Sequence, residues 1–496
     1  MFKTIANQMK YIEPLDRYQY QIMSSIEDLV EADHPVRIID QIVESIISSN
    51  KEIFHQEREN QVGRPKYYDS TMIKLYLYGY FNGISSSRKL EVEAHRNKEV
   101  LWLLGGLKPD HWTISNYRKD NSEQIKFVTK NFREFLKRSG YIKLKTVAID
   151  GSKVKAYTNR DMLTKEKIER RLESIDKKIE EYLNKIIEND NRDNIIDELG
   201  NEDTEILNKK YIDRIIELQR KVEELSRQKE ILEKEGTKHI SSSDTEARLM
   251  KSRDGMIPAY NVQIVVDAEN KMIADSEVLT EETDLRVLPK MIESIKEELG
   301  QTPEEALLDN GYNTPDMIEE EEKEKNIKFY VSQNKKTSRD KEDIKFEYDK
   351  INDEFRCSMG KRLVLLHRNK KKKNSYANIY RGIECNGCPM KNKCTKSKKG
   401  RTYTRYLNQQ WRDQYKEKMG SEIAKEKLSL RKTLVEHPFG TIKYLMGKIP
   451  LLLRGVKKVS TEINLYTTVY NIKRLVNIVE FESLMIKITN YQWQTV

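Results

Sequence analysis

The sequence predicts an α/β fold: a mixed sheet preceded by a helical N-terminal region and interrupted by an inserted helical hairpin. Three observations predict it. Continuous or alternating apolar runs at residues 146–154, 261–267, 272–279, 306–308 and 329–331 read as strands. Before residue 146 the apolar spacing is instead 3 and 4, the period of helices. Between the first two strands, about 100 residues carry heptad-like spacing amid Glu and Lys.

In the N-terminal region, Ile39, Ile42, Val43, Ile46 and Ile47 mark one amphipathic helix. Gly63-Arg64-Pro65 is a break, residues 71–81 form a second helix, and Ser85-Ser86-Ser87 supplies the N-cap of a third. Residues 109–113 read as a turn with Thr113 as cap, which puts Ser115, Asn116, Tyr117 and Arg118 on the first turn of a new helix. That helix can be the recognition helix of a helix-turn-helix, with Arg118 on DNA; a plain helical bundle fits the same pattern.

In the sheet region, Asn270 is the turn residue that pairs the second and third strands as a hairpin. A helix over 284–299 and the two short strands complete a mixed sheet. Within the insertion, Ile168, Leu172, Ile175, Ile179 and Leu183 step by 4, 3, 4 and 4, and Ile215, Val222, Leu225 and Leu232 hold matching positions. Asn189-Asp190-Asn191 and Gly200-Asn201 separate the halves, so the insertion reads as an antiparallel helical hairpin. Dimerisation, DNA clamping and a purely structural spacer all fit it.

A chain of 496 residues has room for two to four domains. No stretch approaches 18 uninterrupted apolar residues, and residues 1–8 lack the apolar core of a secretory signal, so a cytoplasmic protein is expected. The formal charge is +10, but residues 361–405 alone hold fifteen Lys or Arg against one acid, Glu384, a net +14. That segment contains Lys370, Lys371, Lys372 and Lys373, interleaved with Tyr376, Tyr380 and Tyr403, and suits phosphate contacts combined with stacking. A solvated basic loop is the plainer reading.

All four cysteines lie in or beside this segment. Cys385 and Cys388 form a Cys-x2-Cys step, and Cys357 and Cys394 can complete a closed four-thiolate site for structural Zn2+. Free thiols or an eroded site are the alternative.

Three acids stand apart. Asp150 ends the apolar run Thr146-Val147-Ala148-Ile149, and Asp309 closes Ala306-Leu307-Leu308, both as carboxylates at strand ends. Glu436 lies in Leu434-Val435-Glu436-His437-Pro438-Phe439-Gly440, where Pro438 fits best near a helix start and would put Glu436 at a helix entrance. Singly, such residues cap turns or face solvent; brought together, they make an oxygen cradle for divalent metal. Asp244, Asp254, Asp267 and Asp284 compete for the second place.

Together these stretches resemble the DDE-type insertion-sequence transposases, in the bacterial branch with a cysteine cluster before the last catalytic Glu. The resemblance rests on Val62-Gly63-Arg64-Pro65, Thr146-Val147-Ala148-Ile149-Asp150-Gly151-Ser152, Tyr260-Asn261-Val262-Gln263 and Leu308-Asp309-Asn310-Gly311-Tyr312. It continues through the cysteine step to Val435-Glu436-His437-Pro438-Phe439-Gly440-Thr441-Ile442-Lys443. It implies a ribonuclease-H-like core in which Asp150, Asp309 and Glu436 bind two Mg2+ ions for cleavage at transposon ends and strand transfer into target DNA. Many such enzymes carry a Tyr-Arg-Glu-Lys signature around the Glu. Here Glu436 and Lys443 fit it, the Arg position is Lys432, the Tyr position is Ser429, and Arg431 is the adjacent substitute. Arg431, Lys432 and Lys443 are accordingly expected on DNA.

The expected domains are a helical DNA-binding domain at 1–140 and a catalytic domain at 141–345 and 425–496. The helical hairpin is placed at 160–240 and a zinc module at 346–410. The expected partners are transposon inverted-repeat ends and target DNA, with a homodimer on DNA and no membrane, in a bacterial, nucleoid-associated setting. Two other functions fit the sequence: a catalytically silent, transposase-derived DNA-binding protein, and a different nuclease such as a junction resolvase.

Overall fold

The computed structural model describes residues 25–54, 66–159, 161–193, 202–252, 255–333, 345–372, 375–442 and 451–493. The N-terminal region is helical: α1 (Pro35–Ser49), α2 (Lys51–Phe54), α3 (Asp69–Phe81), α4 (Ser87–Arg96), α5 (Lys98–Leu103), α6 (His111–Asp120) and α7 (Ser122–Arg138). The Ile39, Ile42, Val43, Ile46 and Ile47 stripe is the buried face of α1. The break at Gly63-Arg64-Pro65 lies outside the described residues. The cap of α6 differs from expectation: Asp110, not Thr113, accepts the Thr113 N–H at 2.8 Å, so the helix starts at His111. This earlier start turns Ile114, Tyr117 and Arg118 inward.

The main sheet starts with β1 (Thr146–Lys155), after which comes the insertion: β2 (Met162–Leu163), α8 (Lys165–Asp193), α9 (Glu202–Glu235) and β3 (Ile240–Ser241). Helices α8 and α9 pair through Leu172, Ile175, Leu225 and Leu232, and β2 with β3 closes the base of the hairpin. The sheet then adds β4 (Arg248–Ser252), β5 (Gly255–Asp267), β6 (Ile273–Leu279), β7 (Glu305–Leu308) and β8 (Lys328–Val331), with α10 (Leu288–Leu299) and α11 (Pro315–Lys325) as connections. β5 and β6 form the hairpin that Asn270 predicts. Across the sheet the order is β6-β5-β1-β7-β8. β5 runs antiparallel to its two neighbours β6 and β1, and β7 and β8 run parallel to β1. β4 pairs with the first residues of β5.

A second, antiparallel sheet holds β9 (Phe346–Asp349), β10 (Glu354–Cys357), β11 (Arg362–Lys372), β12 (Ser375–Gly382) and, after the short α12 (Lys391–Cys394), β13 (Thr402–Tyr406). The chain returns to the main sheet through α13 (Gln409–Gly420) and α14 (Glu422–Gly440), then ends in α15 (Val456–Ile478) and α16 (Phe481–Asn490).

One hydrophobic core joins the N-terminal helices, the main sheet and α14 to α16. Its polar tie is Arg133 on α7, buried against Asp275 (3.3 Å), Glu298 (3.0 Å), Ser276 (2.7 Å) and Thr467 (3.1 Å). Bonded through both Nη atoms, though not through Nε, this guanidinium ties α7 and α15 to β6. No helix among the described residues is long and apolar enough to cross a membrane.

Candidate active site

Strand β1 runs on to Lys155 along β5, as the strand run 146–154 predicts, so Asp150 lies in its middle and not at its end, where the shorter apolar run 146–149 put it. What ends near Asp150 is the neighbour on the other edge. The parallel register pairs Ala148 with Leu307, and β7 stops at Leu308. Two residues further along each strand, Asp150 and Asp309 come level, just where the ladder opens. Asp309 is held by its own turn, accepting the Gly311 N–H at 2.7 Å. Burial pushes the Asp150 carboxyl up to about 6; Arg431 opposes that rise and Asp309 adds to it.

Helix α14 lies along β1 and β7. Lys427 pairs with Glu305 beside Thr146 at the start of the two strands, and one turn later Arg431 reaches their acids. Its Nη2 is 3.1 Å from Asp150 Oδ1 and 3.9 Å from Asp309 Oδ2. Glu436 follows near the C-terminal end of α14, exposed, and lines with Asp150, Gly151 and Lys153 a cleft of about 1270 Å³. The expectation of Glu436 at a helix entrance is therefore corrected. Pro438 is tolerated in the last turn, where only the Leu434 carbonyl loses a helical donor. Next to Glu436, His437 Nδ1 lies 2.9 Å from the Tyr470 hydroxyl and anchors this end of α14 to α15.

Of the competing acids, Asp284 is beside the pair. Its Oδ1 accepts from Asn261 (2.7 Å), Gln263 (2.9 Å) and Lys153 (3.1 Å), and the Tyr312 hydroxyl bonds Gln263 in turn. Sequence reading passed over this network as a positioning device. Its signal was there: Asn261 and Gln263 are polar on one face of an apolar strand, and both are fully buried. Asp267 sits at the other end of the sheet, accepting from the Lys143 and Leu144 backbone. Asp244 is buried against the Tyr260 hydroxyl, and Asp254 lies outside the described residues.

The donor sets fit the groups that the resemblance implies. Asp150, Asp309 and Glu436 offer hard carboxylate oxygens, and a cationic guanidinium already sits against the first two. Cys357, Cys385, Cys388 and Cys394 line one small cavity at the end of the second sheet. Burial pushes the Cys394 thiol up; Arg401 opposes this and the other three thiols add to it. The Arg401 N–H donates to Cys385 Sγ at 3.4 Å, and a Cβ at Gly382 would lie 2.4 Å from that sulfur. Four sulfur donors lining one cavity are, once ionised, the soft ligand set that suits Zn2+. Among the described residues, however, no three or more His, Cys, Asp or Glu side chains are arranged so that they could hold a metal ion as they stand.

The residues expected on DNA separate. Lys370, Lys371, Lys372 and Lys432 are exposed; Lys373 and Lys443 lie outside the described residues. Arg431 faces the acids. Arg118 is a correction: it is 2% exposed, donates to the Tyr80 hydroxyl (3.0 Å) and Ser85 carbonyl (2.9 Å), and pairs with buried Glu462 (3.5 Å). Its charge is consumed inside the core. Of the three tyrosines, only Tyr376 is open for stacking. Tyr380 is buried with its hydroxyl on Asp353, and Tyr403 packs on Phe355.

Comparison with known families assigns two stretches. Residues 24–120 match a Transposase domain (DUF772), and residues 356–476 match a Transposase DDE domain. The two matches support an insertion-sequence DDE transposase. The DDE match begins in the cysteine region and contains Glu436 and Arg431, and the first match covers α1 to α6. No curated protein and no solved structure matches this transposase.

Proposed function

We propose that this transposase cleaves DNA at the ends of its own insertion sequence and joins the freed 3'-hydroxyl to target DNA, with Asp150, Asp309 and Glu436 as its metal-binding acids. The observation that carries the reading is the level placement of Asp150 and Asp309 on parallel neighbours, with Glu436 lining the same cleft as Asp150. Three antiparallel strands followed by two parallel ones, with Asp150 on the central strand, favour a ribonuclease-H-like core. When bound, two Mg2+ ions supply activation of the attacking oxygen and stabilisation of the leaving one.

The chain's own residues do the rest. Asp284, held by Asn261, Gln263 and Lys153, props the turn that carries Asp309, through the close approach of Gly311. The exposed lysines of β11 and Tyr376 offer contacts to the DNA backbone and bases. The four cysteines would pin that basic sheet through Zn2+. With Arg118 withdrawn, the outward face of α6 carries Trp112, Asn116 and Lys119 at helical spacing, a surface for reading element ends. Two ends need two copies, so a homodimer on DNA is part of the proposal.

The test is incubation of the full chain with Mg2+ and a duplex carrying the inverted repeats that flank its gene. Nicks at the repeat ends and joined products are expected, and both should vanish in Asp150→Asn, Asp309→Asn and Glu436→Gln while the shifted DNA band remains. Binding without nicking by the unaltered chain would overturn the catalytic reading.

A further inference from the structure

Arg431 sets this site apart from a group of carboxylates alone. Its side chain is 12% exposed, and the guanidinium reaches Asp150 Oδ1 at 3.1 Å and Asp309 Oδ2 at 3.9 Å through the same nitrogen, Nη2. Its Nε is buried without a hydrogen-bond partner among the described residues. A buried donor left unmade is costly. Arg431 is thus aimed by its attraction to the two acids and not by a complete set of bonds. Lys153, the cation two residues further along β1 from Gly151, is committed to Asp284. Among the described residues, Asp150 and Asp309 therefore share Arg431 as their counter-charge, and the two carboxylates exceed it by one.

Two half-buried carboxylates held level repel each other, and a unit cation about 4 Å away relieves that repulsion by an amount that grows as water is excluded. The same nitrogen also fills the space nearest both oxygens. We propose that Arg431 is an internal counter-ion that holds Asp150 and Asp309 together in the metal-free transposase and must withdraw before divalent cations bind between them. The inference rests on the proposed metal site and adds a competitor to it. Arg431 lies on α14 one turn before Val435 and Glu436, so its withdrawal and the approach of Glu436 are movements of one helix. A guanidinium released there stays beside the cleft, where it can take a phosphate oxygen of the strand to be cut.

The experiment is Mn2+ binding to the full chain without DNA, read as free Mn2+ by electron paramagnetic resonance, in the unaltered protein, Arg431→Gln and Arg431→Lys. Arg431→Gln should bind Mn2+ about ten-fold more tightly, since a competing unit charge has gone. Arg431→Lys, which keeps the charge, should stay within about three-fold of the original. In the same preparations Arg431→Gln should melt at a lower temperature without metal and regain the difference with Mn2+. Unchanged or weaker Mn2+ binding in Arg431→Gln, with Asp150→Asn still abolishing it, would overturn the counter-ion while leaving the metal site intact. Binding in the unaltered protein that ignores Asp150→Asn and Asp309→Asn would overturn both. Should Arg431→Gln not fold, Arg431→Lys decides: a shift beyond ten-fold in either direction contradicts a role that depends on charge.

Discussion

Gly151 and Gln263 face each other across the β1–β5 pair, and a Cβ built on Gly151 would lie 2.2 Å from Gln263 Nε2 and 2.9 Å from its Cδ. The glycine is required by this close approach, and the amide it admits holds Asp284 and takes the Tyr312 hydroxyl. Gly151→Ala should therefore push Gln263 out of the network beside Asp150. Overpacking of this kind costs about 1–3 kcal/mol, seen as a lower melting temperature. Strand cleavage should fall more than the stability loss explains, by about ten-fold or more, with DNA binding retained. Normal cleavage by a destabilised Gly151→Ala would show that the network supports only the fold.

The buried Asp150 predicts a pH profile. Its carboxyl titrates at about 6, above its ordinary 3.8, mainly because burial disfavours the charge. For an acid raised in the folded state, the stabilising contribution is complete below the ordinary value and is lost as the pH climbs through about 6. The metal-free chain should accordingly melt lower at pH 7.5 than at pH 5.5 through this group, a component missing in Asp150→Asn. Protons and cations compete for the same oxygens, so Mn2+ affinity should rise from pH 5 and level off above about pH 7. An affinity flat across that range would place the binding elsewhere.

Much of the sheet was legible because period-two apolar runs leave strands few alternatives, as 261–267 and 272–279 illustrate. The setting of Asp150 was less so. An apolar run ending at a carboxylate reads as the end of a strand, but Gly151, Ser152 and Lys153 continue it because β5 supplies their backbone partners. Glu436 was misplaced for a related reason: proline marks helix starts by preference, yet packing of α14 on β1 and β7 carries the helix through Pro438. Burial of Arg118 was not visible in the sequence at all. It depends on Glu462, some 340 residues away in sequence, being folded against it.

Arg118 consequently yields a prediction about stability and not about DNA. It is almost fully enclosed, with Tyr80, the Ser85 carbonyl and Glu462 as partners. Arg118→Ala strands the buried Glu462 carboxylate and should cost about 3–5 kcal/mol. A variant that still folds should bind element ends with the salt dependence of the original protein, because no phosphate contact is lost. By contrast Lys119→Ala, on the exposed side of the same helix, should leave the melt unchanged and lessen the salt dependence by about one ion. A reversal of the two phenotypes would restore Arg118 to the DNA surface.

The cysteines give the last prediction. Four thiols share one cavity, with the Arg401 N–H already on Cys385 Sγ, and among the described residues the small sheet beneath them is centred on a buried cluster of Phe355, Leu363 and Tyr380. So slight a core needs a metal or a neighbour to stay ordered. Atomic emission should find about one zinc per chain. Cys388→Ser should lose most of it and expose residues 346–406 to protease, since the centre is then too small to hold β9 to β13. Because β11 carries Lys370, Lys371 and Lys372, that variant should also bind DNA more weakly at every sequence, while Mn2+ binding at Asp150 and Asp309 is untouched. A zinc-free preparation whose 346–406 segment resists protease as well as before would remove the metal from the account and leave Phe355, Leu363 and Tyr380 sufficient by themselves.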